Sequence, residues 1–265
     1  MTSTIPDILS RIVERKQAEL RELETRRPQL EPLAEDSIRY RRPFARALKT
    51  HRPAIIAEIK QASPSKGRLT DNYDPAAIAA SYQDGGAAAL SILTDRDFFS
   101  GTLAHLEQAR AAVFLPALRK DFTIGKTQIV EAAAHGADAI LLIAAILTTD
   151  QLIHFREFAA QFLLAALVEV HDAEDLAKAI DSGAAIIGVN NRNLRSFDVR
   201  LETSLDLASR IPSNVIRVSE SGIHTKDHIR TLSAAGYHAF LVGEHLMKSP
   251  HPANAVRELA CLSGI

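Results

Sequence analysis

Ile56-Ala57-Glu58-Ile59-Lys60, running straight into Gln61-Ala62-Ser63-Pro64-Ser65-Lys66-Gly67, is the stretch whose reading decides the fold. Successive side chains of a strand point to opposite faces, so Glu58 and Lys60 share one face and Ile59 takes the other. A buried ion must be desolvated and paired, so two opposite charges on the inner face of a core strand need a reason. For an isolated Glu-x-Lys that reason is a structural ion pair at the rim of a sheet. This pair is not isolated.

Outward from it, eight short apolar runs alternate with helical patterns: Ala54 to Lys60, Ala88 to Leu93, Phe114 to Lys120, Ala139 to Ile143, Leu164 to Val170, Ala185 to Asn190, Val215 to Ser219 and Ala239 to Gly243. Their starts are spaced by about 21 to 34 residues, the length of a strand plus a crossover helix and two loops. Gly86, Gly136, Gly183 and Gly236 each fall where a helix must end before the next strand, a position that favours a left-handed glycine. Asp74-Pro75, Thr149-Asp150 and His171-Asp172 read as helix starts. Eight such units predict an α/β protein built as a closed (β/α)8 TIM barrel. An open doubly wound sheet would usually carry G-x-G-x-x-G after its first strand, and that motif does not follow this one.

Residues 1–50 precede the repeat. Ile5, Ile8, Leu9, Ile12, Val13, Leu20 and Leu23 fall near helical spacing with charges between them, which predicts an amphipathic N-terminal helical extension ahead of a barrel over 51–265. The basic run Arg39-Tyr40-Arg41-Arg42-Pro43 connects the two and reads as a solvated face. The 265 residues, 46% of them hydrophobic, are expected to form one domain around one large core.

With 31 basic and 32 acidic residues the net charge is −1, so no global field draws the chain to nucleic acid or an anionic membrane. Its longest apolar run, Ala139 to Leu147, is far short of the roughly 20 residues that span a bilayer. The start of the chain carries Asp7, Glu14 and Glu19 with no apolar core of a signal peptide, and the lone Cys261 gives neither a disulfide nor a cysteine zinc site. A cytoplasmic protein is the expectation, monomeric or a weak homodimer. The ten histidines are scattered, and His224 with His228 read as helix-surface residues, so no metal site is expected.

Barrel enzymes hold their reactive groups at the C-terminal ends of the strands. Here strand 1 ends in Glu58 and Lys60, strand 3 in Leu118-Arg119-Lys120-Asp121-Phe122, and strand 5 in Glu169-Val170-His171. Strand 6 ends in Asn190-Asn191-Arg192-Asn193, strand 7 in Ser219-Glu220-Ser221-Gly222, and strand 8 in Gly243-Glu244-His245. Six polar ends converging on one mouth need water or a charged ligand to solvate them. The loops after strands 7 and 8 are the usual phosphate seat of such barrels, and Ser221-Gly222 and Gly243-Glu244 supply small residues whose N–H groups can approach an anion. A phosphorylated small-molecule substrate follows.

The run Glu58-Ile59-Lys60-Gln61-Ala62-Ser63-Pro64-Ser65-Lys66-Gly67, with Leu118 to Phe122, Glu169-Val170-His171, Asn190 to Leu194, Ser219-Glu220-Ser221-Gly222-Ile223 and Gly243-Glu244-His245-Leu246-Met247, resembles the indole-3-glycerol-phosphate synthase family over essentially the whole chain. The resemblance implies a lyase of tryptophan biosynthesis that needs no cofactor. Its substrate would be 1-(2-carboxyphenylamino)-1-deoxyribulose 5-phosphate, closed to an indole with loss of carbon dioxide and then water. It further implies Lys120 as the acid that protonates the ketone, and Glu169 and Lys60 as base and acid of the dehydration. Glu58 would orient one of the lysines, and Asn190 would bind substrate hydroxyls. Arg192 would pair with the anthranilate carboxylate. Phe122 and Leu142 would wall the ring, Ser63, Ser221, Gly222, Gly243 and Glu244 would seat the phosphate, and Glu220 would touch the substrate. A lysine is a usable acid near neutral pH if burial or a neighbouring cation such as Lys60 lowers its pKa, against which Glu58 and Glu169 work. A Schiff-base aldolase would use the same lysines as nucleophiles, and a non-catalytic phosphate-binding barrel would bind without turnover.

Overall fold

The computed structural model describes residues 7–63, 67–68, 73–193 and 197–260. Ile5, Pro64, Ser65, Lys66, Leu194 and Cys261 lie outside them, as does the side chain of Ser63. Eight parallel strands close on themselves: β1 (Ala54–Ile59), β2 (Ala89–Leu93), β3 (Ala117–Lys120), β4 (Ala139–Ile143), β5 (Ala165–Val170), β6 (Ile186–Asn190), β7 (Ile216–Glu220) and β8 (Ala239–Val242), each hydrogen-bonded to its neighbours in chain order and β8 to β1. This is the expected (β/α)8 barrel.

Period-two alternation divides the core. Ile55, Ala57 and Ile59 of β1 point outward to the layer under the helices, while Ala54 and Ile56 point inward with Leu118, Leu141, Leu167, Val218 and Leu241. The expected left-handed glycines end their helices: Gly86, Gly136, Gly183 and Gly236 have φ of 88°, 80°, 73° and 94°. Asp74 and Asp172 cap helices as expected, each accepting two backbone N–H groups. Thr149 and Asp150 open the first turn of their helix as expected, and Thr148 caps it: its hydroxyl accepts the Gln151 N–H while the Gln151 side chain accepts that of Thr148.

Three helices precede the barrel: α1 (Asp7–Glu24), α2 (Arg27–Ser37) and α3 (Phe44–Thr50). Phe44 and Leu48 of α3 are fully buried in the inward-facing core and plug the barrel's N-terminal end. The basic run before α3 is not a solvated face. Arg41 donates to the carbonyls of Ala137 and Phe162, and Arg42 to those of Leu115 and Arg110, so both guanidiniums satisfy loop carbonyls at the barrel's lower end. Arg39, Tyr40 and Pro43 of that run stay exposed.

Candidate active site

The inward columns that carry apolar side chains at mid-barrel change character at the C-terminal ends. Glu58 follows Ile56, Lys120 follows Leu118, Glu169 follows Leu167, and Glu220 follows Val218, each two residues on and therefore on the same inner face. Register then sets neighbours, with Asn190 paired to Glu220 and Glu169 to Gly188. Two adjoining cavities of about 150 and 560 Å³ share Glu58, Lys60, Lys120, Asn190 and Arg192 in their walls. Lys60, Lys120 and Glu169 therefore meet in one place.

Two ion pairs organise it. Lys60 Nζ lies 2.7 Å from Glu58 Oε1, so Glu58 orients Lys60 and not Lys120. Lys120 Nζ donates to Glu169 Oε2 at 3.1 Å. Burial opposes charge on Lys120, but the carboxylates of Glu169, Glu220 and Glu58 outweigh it and hold the ammonium well above the ordinary lysine range. Of the opposing influences that the sequence left in balance, the carboxylates prevail, because the nearest charges are anions. Burial likewise works against the Glu169 carboxylate, and Lys120 and His171 overcome it, keeping Glu169 ionised. Glu220 goes the other way. It is fully enclosed, and burial together with the charges of Glu169 and Glu58 pushes its carboxyl up to about 8, so it is protonated at neutral pH.

The smaller cavity is apolar at its outer end, where Leu93, Phe99, Phe122, Leu141 and Ile143 meet Ile8, Leu9 and Ile12 of α1. Phe122 lines this cavity. Leu142 does not: it faces outward among the core side chains under the helices, and its neighbours Leu141 and Ile143 take the inner face. The roof is locked by a residue the sequence reading passed over. Lys16, 3% exposed, lies 2.9 Å from both Asp95 and Asp121 and 3.0 Å from Glu19, tying α1 to the loops after β2 and β3. Its signal was present, since Leu9, Ile12, Lys16, Leu20 and Leu23 follow helical spacing and put a lysine within an apolar stripe.

The larger cavity is polar and lined by Ser221, Gly222, Gly243, Glu244, His224 and His245. Ser221 and Gly222 are both left-handed, with φ of 68° and 77°. A serine held there is strained by about 1–3 kcal/mol, and Asn191 braces it by donating to the Ser221 carbonyl at 3.0 Å. A Cβ on Gly243 would fall 2.2 Å from Glu58 Oε1 and 3.0 Å from Lys60 Nζ, so the bare backbone admits that pair. Glu244 directs its carboxylate to Lys248 at 2.6 Å. Arg192 lines both cavities and donates one guanidinium N–H to the Phe197 carbonyl at 3.1 Å, while its backbone N–H is accepted by Asn190 Oδ1 at 3.0 Å. His224 precedes its helix and faces His245, with ring centroids 5.8 Å apart, so it belongs to the cavity rim and not to a helix surface.

The profile of the family described as Indole-3-glycerol phosphate synthase matches residues 9–259. Among similar proteins are the indole-3-glycerol phosphate synthases of Albidiferax ferrireducens, 47% identical over 258 residues covering 96% of this chain and 98% of that one, and of Roseiflexus sp., 47% identical over 262 residues covering 95% and 97%. Solved structures share the barrel at low identity. A thiamine phosphate pyrophosphorylase from Pyrococcus furiosus superposes with a TM-score of 0.60 at 18% identity, covering 78% of this chain and 93% of that one. A chain of the tryptophan synthase complex from the same organism gives 0.57 at 17%, covering 79% and 98%. These last two likenesses concern fold alone.

Proposed function

Because this chain belongs to the indole-3-glycerol phosphate synthase family of tryptophan biosynthesis, we propose that its barrel mouth closes 1-(2-carboxyphenylamino)-1-deoxyribulose 5-phosphate to indole-3-glycerol phosphate, as a carboxy-lyase. One observation carries the reading. The site is apolar at one end and lined by small loop residues at the other, with the Lys120–Glu169 and Lys60–Glu58 pairs between them. A substrate with an aromatic ring at one end, a phosphate at the other and a ketone in the middle fits that order.

The ring carbon bearing the carboxylate attacks the ketone, pushed by the ring nitrogen, and the ketone oxygen takes a proton from Lys120. An ammonium with a raised pKa is still an adequate acid here, since the forming alkoxide is far more basic than an amine. Carbon dioxide then leaves. Once Lys120 has given its proton, Glu169 loses its cation and becomes more basic, so the acid step arms the base step. Glu169 next removes a proton from the new five-membered ring while Lys60, steered by Glu58, protonates the departing hydroxide. Arg192 offers the anthranilate carboxylate a planar fork. Asn190 spends its carboxamide oxygen on the Arg192 N–H, so substrate hydroxyls meet its amide nitrogen. The phosphate rests on Ser221-Gly222 and Gly243-Glu244. A Schiff-base aldolase would need a neutral amine, and the carboxylates around Lys120 favour the charged one.

The test is turnover of the ketose phosphate followed by indole fluorescence. Lys120→Ala and Glu169→Gln are each expected to lose roughly a hundredfold or more in kcat. Equal activity in wild type and both variants would overturn the assignment.

A further inference from the structure

Glu169 is gripped from two sides, and only one of them faces the cavity. Its Oε2 lies 3.1 Å from Lys120 Nζ, and its Oε1 lies 3.3 Å from His171 Nε2. The other imidazole nitrogen, Nδ1, lies 3.4 Å from Asp175 Oδ2 on the helix Ala173–Asp181, and that oxygen also accepts the His171 backbone N–H at 3.3 Å. Asp175 Oδ1 receives Lys178 Nζ at 3.3 Å, and Lys178 donates in turn to the Ala144 carbonyl at 3.0 Å, in the turn directly after β4. A line of contacts thus runs from Glu169 to two separate elements of the scaffold.

Such an arrangement is poorly explained by stability. Desolvation cancels much of what buried ion pairs gain, and apolar side chains of similar volume usually do as well. It is well explained by orientation. A carboxylate has two chemically equivalent oxygens, and a base must present one of them at a defined distance from the proton that it removes.

We propose that His171, held by Asp175, is a positioning residue for Glu169: it fixes one carboxylate oxygen so that the other alone meets Lys120 and the substrate. The proposal rests on the assignment of Glu169 as the base. The charged groups around the imidazole are Glu169 on its own strand end and Asp175 and Lys178 on the following helix, with Lys120 and Glu220 beyond Glu169. Burial works against the imidazolium, but Asp175 and Glu169 prevail and raise it to about 9, so the ring stays charged throughout the neutral range, with Nδ1 hydrogen-bonded to Asp175 and Nε2 in ion-pair contact with Glu169. Above that pH the charge is lost and the grip loosens.

The experiment compares kcat and KM between about pH 6 and 10 for wild type, His171→Leu, His171→Gln and Asp175→Asn, with Glu169→Gln in parallel and circular dichroism on each to establish folding. His171→Leu is expected to lose roughly tenfold in kcat with KM within about twofold, as a misplaced reacting group does. The glutamine amide can place an N–H where Nε2 stands but does not titrate. His171→Gln should therefore recover most of the loss and lack the decline in kcat centred near pH 9 that wild type has. Asp175→Asn should lie between wild type and His171→Leu. Wild-type kcat in His171→Leu, or a His171→Gln no better than it, overturns the proposal. Should the leucine variant fail to fold, a His171→Gln that keeps the decline near pH 9 overturns it. A Glu169→Gln that retains turnover removes the base assignment itself, whereas an inactive Glu169→Gln beside an unimpaired His171→Leu removes only the clamp.

Discussion

Glu220 fills the space that a side chain at Gly188 would need: a Cβ built on Gly188 would lie 2.1 Å from Glu220 Oε1. Gly188 pairs with Glu169 on one side and Val218 on the other, so the bare position in β6 is the gap across which the two glutamates meet. Gly188→Ala forces Glu220 aside. Overpacking of this kind costs about 1–3 kcal/mol, and the variant is expected to unfold about 3 °C or more below wild type. It should also lose roughly tenfold in kcat through the displaced reacting groups. Wild-type kcat in a folded Gly188→Ala would mean that the placement of Glu220 is irrelevant to turnover.

The raised carboxyl of Glu220 makes stability depend on pH with a definite sign. Its folded value of about 8 lies above that of an unfolded glutamate, so between the two the folded chain holds a proton that the unfolded chain has released. That contribution is fully present below the unfolded value, near pH 4, and is lost as pH rises through about 8. Glu220→Gln cannot ionise and escapes the loss. Thermal unfolding at pH 9 should therefore favour the variant over wild type by about 2–4 °C, with a difference near zero or reversed at pH 5. Parallel curves at both pH values would show that Glu220 ionises normally.

Leu141 and Leu142 are neighbours with opposite duties. Leu142→Ala should cost about 2–5 kcal/mol of stability and leave KM unchanged, because its side chain is buried under the helices. Leu141→Ala should raise KM, because its side chain walls the apolar end of the cavity. Unfolding curves and KM on the two variants check the division, and the opposite pattern would place the aromatic ring elsewhere.

All eight strands were legible in the sequence, because each is a short apolar run set between helical patterns. Glu58, Lys120, Glu169, Asn190 and Glu220 were legible as polar residues at the ends of such runs. What failed was information that does not reside in a single segment. Ala139-Ile140-Leu141-Leu142-Ile143 is apolar on both faces, so its alternation carries no sign of which side is inner. Arg41 and Arg42 looked solvated because their partners are backbone carbonyls, which no side-chain pattern reveals. The direction of the Lys120 shift depends on how near four charges stand to one another, and only coordinates give that.

The latch made by Lys16 also has a bearing on the order in which the protein becomes competent. A ribosome releases α1 before any strand exists, yet the two aspartates that accept the Lys16 ammonium come with the second and third βα units. Until both have been synthesised and folded, the ammonium has no dry, anionic seat, and the first helix of the chain stays unmoored. The residue after Lys120 is one of those aspartates. Arrival of Lys120 and of the last seat for the roof above it are therefore one event, and a nascent chain cannot finish the Lys120 site without what holds its cover.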